Sequence, residues 1–167
     1  MPSEKGSAER IFERMSTTKQ LQSGDIPQAD TLKTVRQVIS QVASGNKSVA
    51  GISEVTGVSE RHVQYRMQTG RILSLLDAEN SITPLGKKLL QTTEGAADEI
   101  AFWQRAISAC PAVKILVPNL FGKNEIVRNE LAARIESLTG MSPETAKRRM
   151  TVFCAWRRQL MPPKESS

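Results

Sequence analysis

The stretch TGVSERHVQYRM, from Thr56 to Met67, is written a second time as TGMSPETAKRRM, from Thr139 to Met150. The correspondence continues upstream at the same offset. Ala50, Ile52 and Val55 align with Ala133, Ile135 and Leu138, and Ser59 and Arg66 align with Ser142 and Arg149. Apolar positions face apolar positions throughout, which marks a duplicated structural unit rather than a shared short word. Whatever the unit is, the chain must build it twice.

The spelling of the unit is specific. "KSVAGISEVTG" reads as a short helix over roughly 49–56, buried through Ala50, Ile52 and Val55. Gly57 suits the left-handed residue that closes such a helix. Ser59 then caps a longer helix, "SERHVQYRMQTGRILSLL", with Val63, Met67 and Leu73 inward. Upstream, "DTLKTVRQVISQVASG" carries Leu32, Val35, Val38, Ile39 and Val42 at helical spacing, with Asp30 as cap and Gly45 as stop. Helix, short helix, glycine turn and longer helix is the order of a helix-turn-helix. Two short extended pieces follow around Ala78-Glu79-Asn80, and Thr83-Pro84 opens another helix. A hairpin at this place is the wing of a winged helix.

The second half repeats the theme. "AADEIAFWQRAISA" is striped by Ile100, Phe102, Trp103 and Ile107, and "CPAVKILVPNLFGK" is a compact apolar stretch. "NEIVRNELAARIESLTG" reads as a helix with Ile126, Val127, Leu131, Ala132, Ile135 and Leu138 inside. Ser142 and Pro143 start a last helix that runs to about Leu160. Its buried stripe is Ala146, Met150, Phe153, Trp156 and Leu160.

Composition agrees with helices. Apolar residues make up 39% of 167, enough for one domain or two small ones, while aromatics are only 4% and β-branched runs are scarce. The expected fold is mainly α: two tandem helix-turn-helix units, the first a winged helix with a small β-hairpin. The expected division is a mobile or partly helical arm over 1–28 with a thin apolar face at Ile11, Phe12 and Met15, a winged domain over 29–94, a second domain over 95–162 and a disordered tail over 163–167. No run approaches the roughly 20 apolar residues of a membrane span, and the N-terminal stretch lacks an apolar signal core. Two distant cysteines, Cys110 and Cys154, fit a reducing cytoplasm, with Cys154 a packing residue.

The charge is +6 at neutral pH, which favours a polyanionic partner by attraction alone. Its placement says more. In a helix-turn-helix the second helix enters the DNA major groove and presents its first turns to base edges, with phosphates near its N-terminus. The first copy offers Ser59, Arg61, His62, Gln64, Tyr65 and Arg66 there. Arginine can read guanine and glutamine can read adenine. The last helix offers Ser142, Thr145, Lys147, Arg148, Arg149, Thr151, Arg157 and Arg158 opposite its apolar stripe. Lys87 and Lys88, after the wing, are further phosphate candidates. The plainer reading is that these charges solvate a surface. Trp103 and Trp156 read as core residues first and as base-stacking platforms second.

Catalytic constellations are missing from the sequence. His62 is the single histidine, so paired-histidine metal sites are excluded and zinc is disfavoured. "SGNKS" shares only the end of a phosphate-binding loop and follows a helix rather than a strand. The paired acids and lysine of a common nuclease core are missing too. Neither an enzymatic activity nor a cofactor is expected.

The segment "ISEVTGVSERHVQYRMQTGRILSLLDAENSITPLGKKLL", followed by "TGMSPETAKRRMTVFCAWRRQL", resembles winged-helix modules attached to bacterial type II restriction endonucleases and restriction–modification proteins. Thr83, Leu85, Gly86, Lys87, Leu89 and Leu90 carry the first phrase of that resemblance. Ser142, Thr145, Ala146, Arg148 and Arg149 carry the second, and together they span roughly residues 30–161. The nuclease domain of such proteins has no counterpart here. The resemblance therefore implies recognition of double-stranded DNA without cleavage, by a recognition domain, a specificity subunit or a small regulator. It leaves room for a homodimer or for a nuclease or methyltransferase partner. The alternative from another class is a protein-interaction adaptor, since winged helices also serve as binding platforms.

Overall fold

The computed structural model describes residues 21–161, and its secondary structure is mainly α. After a 3-10 turn at Ser23–Asp25 come α1 (Leu32–Ala43), α2 (Val49–Thr56), α3 (Glu60–Ile72) and α4 (Pro84–Gln91). The second half holds α5 (Ala97–Ser108), α6 (Pro111–Leu116), α7 (Arg128–Thr139) and α8 (Pro143–Leu160). The expected face of Ile11, Phe12 and Met15 and the expected tail lie outside the described residues.

The two copies of the repeated phrase fold alike at the glycine turn and at the start of the helix that follows it. Gly57 (φ 73°, ψ 9°) and Gly140 (φ 72°, ψ 11°) are both left-handed. Each donates its N–H at 2.9 Å to the residue four back, Ser53 and Glu136 respectively. The preceding threonines behave identically: Thr56 donates its hydroxyl to the Ile52 carbonyl at 2.7 Å, and Thr139 to that of Ile135 at 2.6 Å. Ser59 and Ser142 then cap α3 and α8 by accepting the N–H of His62 at 3.3 Å and of Thr145 at 3.2 Å. Burial follows the same register, with Ile52 and Ile135, Val63 and Ala146, and Met67 and Met150 all inside. The glycines are needed for their backbone, because nothing lies within 4 Å of where a Cβ would stand on either. We expect Gly57→Ala and Gly140→Ala each to cost roughly 1–2 kcal/mol by urea unfolding, and by similar amounts, because a left-handed L-residue strains against its own carbonyl. Clearly unequal costs would show that the two turns are not equivalent.

Several expected positions fall elsewhere. Residues 21–28, read from the sequence as part of an arm, are built into the core through Leu21 and Ile26, and Gln68 donates to the Gly24 carbonyl at 3.1 Å. In α2 only Ile52 is fully buried; Ala50 is exposed and Val55 is 64% exposed. The inward line of this short helix runs through Val49, Ile52 and Thr56, and Val55 lies on its edge. Val127 is 57% exposed because α7 begins only at Arg128, so Val127 precedes the helical register. The cap of α1 is Thr31 rather than Asp30.

The expected β-hairpin reduces to one antiparallel bridge, Leu76 with Ile82. Its arms are too short to extend the ladder, and Leu75 and Leu76 are both buried instead of alternating. The turn is held by the Asp77 carboxylate, which accepts the N–H of Glu79 at 3.0 Å and of Ser81 at 2.9 Å. Helix α4 starts as the sequence indicates, with Thr83 accepting the Gly86 N–H at 3.0 Å and Pro84 in the first turn. Gly86 itself packs against the Leu75 carbonyl oxygen, where a methyl group would collide.

A single apolar core runs from Leu21 to Leu160 and crosses the expected boundary near residue 94. The stripe of α8 is buried at all five expected positions, and so are Val152 and Cys154. Both tryptophans are core residues. Polar clasps also join the halves. Trp156 Nε1 donates to the Ala29 carbonyl at 3.0 Å, and Gln159 accepts the Leu32 N–H at 2.9 Å while donating to the Asp30 carbonyl at 2.6 Å. Arg36 pairs with Glu99 across the same seam. Among the described residues no helix is long and apolar enough to cross a membrane.

Candidate nucleic-acid interface

The first two turns of α3 face the second and third turns of α8. They line one cleft of about 510 Å³, with Arg61, His62 and Tyr65 on one side and Arg148 and Arg149 on the other. Gln28 and Val152 complete its wall. No carboxylate is among the described residues that line it.

Each helix start orders its own side chains. On α3, Ser59 Oγ lies 2.7 Å from His62 Nδ1 as well as capping the helix. Arg61 Nε donates to the Tyr65 hydroxyl at 2.6 Å, one turn along, and its guanidinium carbon sits 5.5 Å from the ring centroid. The His62 ring meets Tyr65 edge-on at 5.9 Å. On α8, Ser142 Oγ donates to Thr145 Oγ1 at 2.9 Å, and Arg148 Nη2 reaches the same Thr145 oxygen at 3.4 Å. These are i to i+3 and i to i+4 pairs on helix surfaces, so the spacing in the sequence dictates them.

Arg66 and Arg149 occupy equivalent positions in the two copies and both are half-buried. Desolvation lowers the pKa of each guanidinium, and their neighbours then differ. Asp30 raises the pKa of Arg66, whereas Arg148, a like charge, lowers that of Arg149 further and Tyr65 raises it. Arg149 Nη1 is enclosed and has no hydrogen-bond partner among the described residues.

The remaining candidates do not line this cleft. Gln64, Lys147 and Thr151 are exposed on α3 and α8, with the Thr151 hydroxyl turned to the Arg148 carbonyl at 2.6 Å. Lys87 and Lys88 are exposed on α4 and do not line the cleft. Arg158 borders a separate hollow beside Asp30 and Gln159. Arg157 departs from the expected basic face. It donates to the Gly122 carbonyl at 3.0 Å and also to that of Leu120, so it ties the loop after α6 to α8. Sequence periodicity could not have placed it there, since its partners are backbone carbonyls of a distant loop. Gln28 was equally invisible, because it enters the wall through the packed segment before α1, where its amide lies 3.4 Å from Gln68 Oε1.

The described residues hold no cluster of three or more His, Cys, Asp or Glu that could bind a metal ion. A scan against protein-family models gives no match to this chain, and searches of curated proteins and of solved structures give none either.

Proposed function

We propose that this protein binds double-stranded DNA through two helix-turn-helix units, α2–α3 and α7–α8, used as one surface. The observation that carries this reading is that α3 and α8 line a single cleft near their N-terminal ends, walled by three arginines and with no carboxylate among the described residues that line it. The duplicated turn gives each helix the same left-handed glycine and the same serine cap. A capped helix start with basic side chains around it suits a phosphate backbone, and the exposed side chains of the first turns suit base edges. In this reading Arg61, His62, Tyr65, Arg148 and Arg149 face the backbone, and Gln64, Lys147 and Thr151 lie where bases pass. The segment after α3, with its short Leu76–Ile82 bridge, takes the place of a reduced wing. Arg157 has a structural role instead. The resemblance to restriction-associated recognition modules points to defence against foreign DNA or its regulation as the setting, with a second copy or a nuclease or methyltransferase as the partner class.

The test is a salt titration by fluorescence anisotropy on random and selected duplexes. We expect affinity to fall steeply with salt, and Arg148→Ala with Arg149→Ala to weaken binding to every duplex. The slope of log affinity against log salt should drop by about 0.9 for each phosphate that the variant no longer neutralises. Gln64→Ala should instead shift the preferred sequence, by roughly 1–3 kcal/mol for a bidentate hydrogen-bond pair. If the double arginine variant binds as tightly as wild type at every salt concentration, the basic face is only solvated, and the adaptor reading becomes the better one.

A further inference from the structure

We propose that the cleft between α3 and α8 is a composite phosphate site, in which Arg61 from the first copy and Arg148 and Arg149 from the second hold one phosphate group together. This rests on the nucleic-acid reading above and makes it more specific: the two units share a phosphate instead of each gripping its own.

Four features of the cleft lead to this assignment. Three guanidinium side chains line a single cleft with no lining carboxylate among the described residues. Like charges gathered in this way repel, and the repulsion is relieved by an anion. Arg149 Nη1 is shut off from solvent and lacks an acceptor among the described residues. A buried donor left unsatisfied is unusual enough to require a reason, and an incoming phosphate oxygen supplies one after a small rotation of the guanidinium. The repeat provides an internal control. Arg66, the counterpart of Arg149, has Asp30 to favour its charge, whereas Arg149 has Arg148 beside it. The same arginine thus stands in different surroundings in the two copies, and only the second copy's lines the cleft. Finally, two of the three donors make hydrogen bonds to neighbouring side chains before any ligand arrives. Arg61 is fixed through Tyr65, and Arg148 through Thr145, which limits the ordering cost of binding. A volume of about 510 Å³ is more than one phosphate fills, and leaves room for the groups esterified to it.

The same chemistry would accept a backbone phosphodiester or a free phosphate, and a double-mutant cycle with two ligand arms separates them. Duplex affinity is measured against salt for wild type, Arg61→Ala, Arg149→Ala and the double variant. A shared phosphate predicts that even the double variant lowers the salt slope by no more than about 0.9, the contribution of one phosphate. Losses that multiply, with the slope falling about twice as far in the double variant, would overturn the shared site while leaving DNA binding intact. In the second arm, inorganic phosphate and a nucleoside monophosphate are added to wild type and to Arg149→Met at matched ionic strength, and melting is followed. No duplex binding, but melting raised in wild type alone, would keep the site as one for free phosphate and sink the DNA reading. No response in either arm would sink both. Arg149→Met should itself melt no lower than wild type, since it removes an unsatisfied buried donor. Should that variant misfold, duplexes carrying a single neutral methylphosphonate linkage provide the same test on intact protein. One linkage position should cost wild type affinity and cost Arg61→Ala nothing more.

Discussion

Trp156→Asp is expected to abolish cooperative folding of both halves of the described structure, not merely of the second. Trp156 is fully buried, packs edge-on against Phe153 at 5.8 Å and donates its ring N–H to the Ala29 carbonyl at 3.0 Å. Loss of the ring alone costs about 3–5 kcal/mol in a packed core. An unpaired carboxylate in the same place adds several kcal/mol more, and the Ala29 carbonyl loses its donor. The sum rivals the roughly 5–15 kcal/mol that stabilises an ordinary domain. Hydrogen exchange is the discriminating measurement. Protection should vanish from α1 as well as from α8, because one core spans both. Persistent protection of α1 with free exchange in α8 would mean that the halves fold separately and that the clasp at Ala29 is incidental.

Glu99→Ala should give the second large effect, a loss of about 3 kcal/mol in urea unfolding, because it strands a charge at the seam. The Arg36 and Glu99 side chains are only 11% and 13% exposed. Arg36 also donates to Thr92 Oγ1 at 2.8 Å and to the Thr92 carbonyl at 2.9 Å, while Glu99 accepts the Gly95 N–H at 3.1 Å. Removing the carboxylate leaves the guanidinium with its Thr92 bonds but without a counter-charge. Replacing both partners, Arg36→Met with Glu99→Leu, should recover most of the loss, since apolar groups of similar size avoid the desolvation penalty altogether. If Glu99→Ala alone proves neutral, water reaches the pair and the seam depends on apolar packing and the Gln159 and Trp156 clasps.

Much of the local structure could be read directly from the chain. The five apolar positions of α1 and the five of α8 are all buried as their spacing indicates, because the helical period acts within a single element. Thr83, Ser59 and Ser142 cap the helices they were expected to cap, and Gly57 and Gly140 are left-handed where an L-residue would strain. The hairpin failed to form strands because the signal for it, two short apolar pieces around a polar turn, is equally met by a looped segment that buries Leu75 and Leu76 side by side. Val55 and Val127 were misplaced for a similar reason. Apolar character marks a residue that can be buried, but near the end of a helix it does not say whether a neighbour covers it.

The amino-acid sequence by itself determined the repeated turn, the helix starts and the apolar stripes, because capping, backbone strain and periodicity are interactions among residues at most a few positions apart. Only the tertiary structure decided which arginines meet. Arg149 faces the α3 side chains across a cleft, Arg66 is half-buried with its charge favoured by Asp30, and Arg157 is tied to the loop carbonyls of Leu120 and Gly122, although all three stand in basic stretches of helices that read alike. Their separation follows from how α8 seats against the segment before α1 through Trp156 and Gln159, which join residues at opposite ends of the described chain in a way that no local rule can foresee.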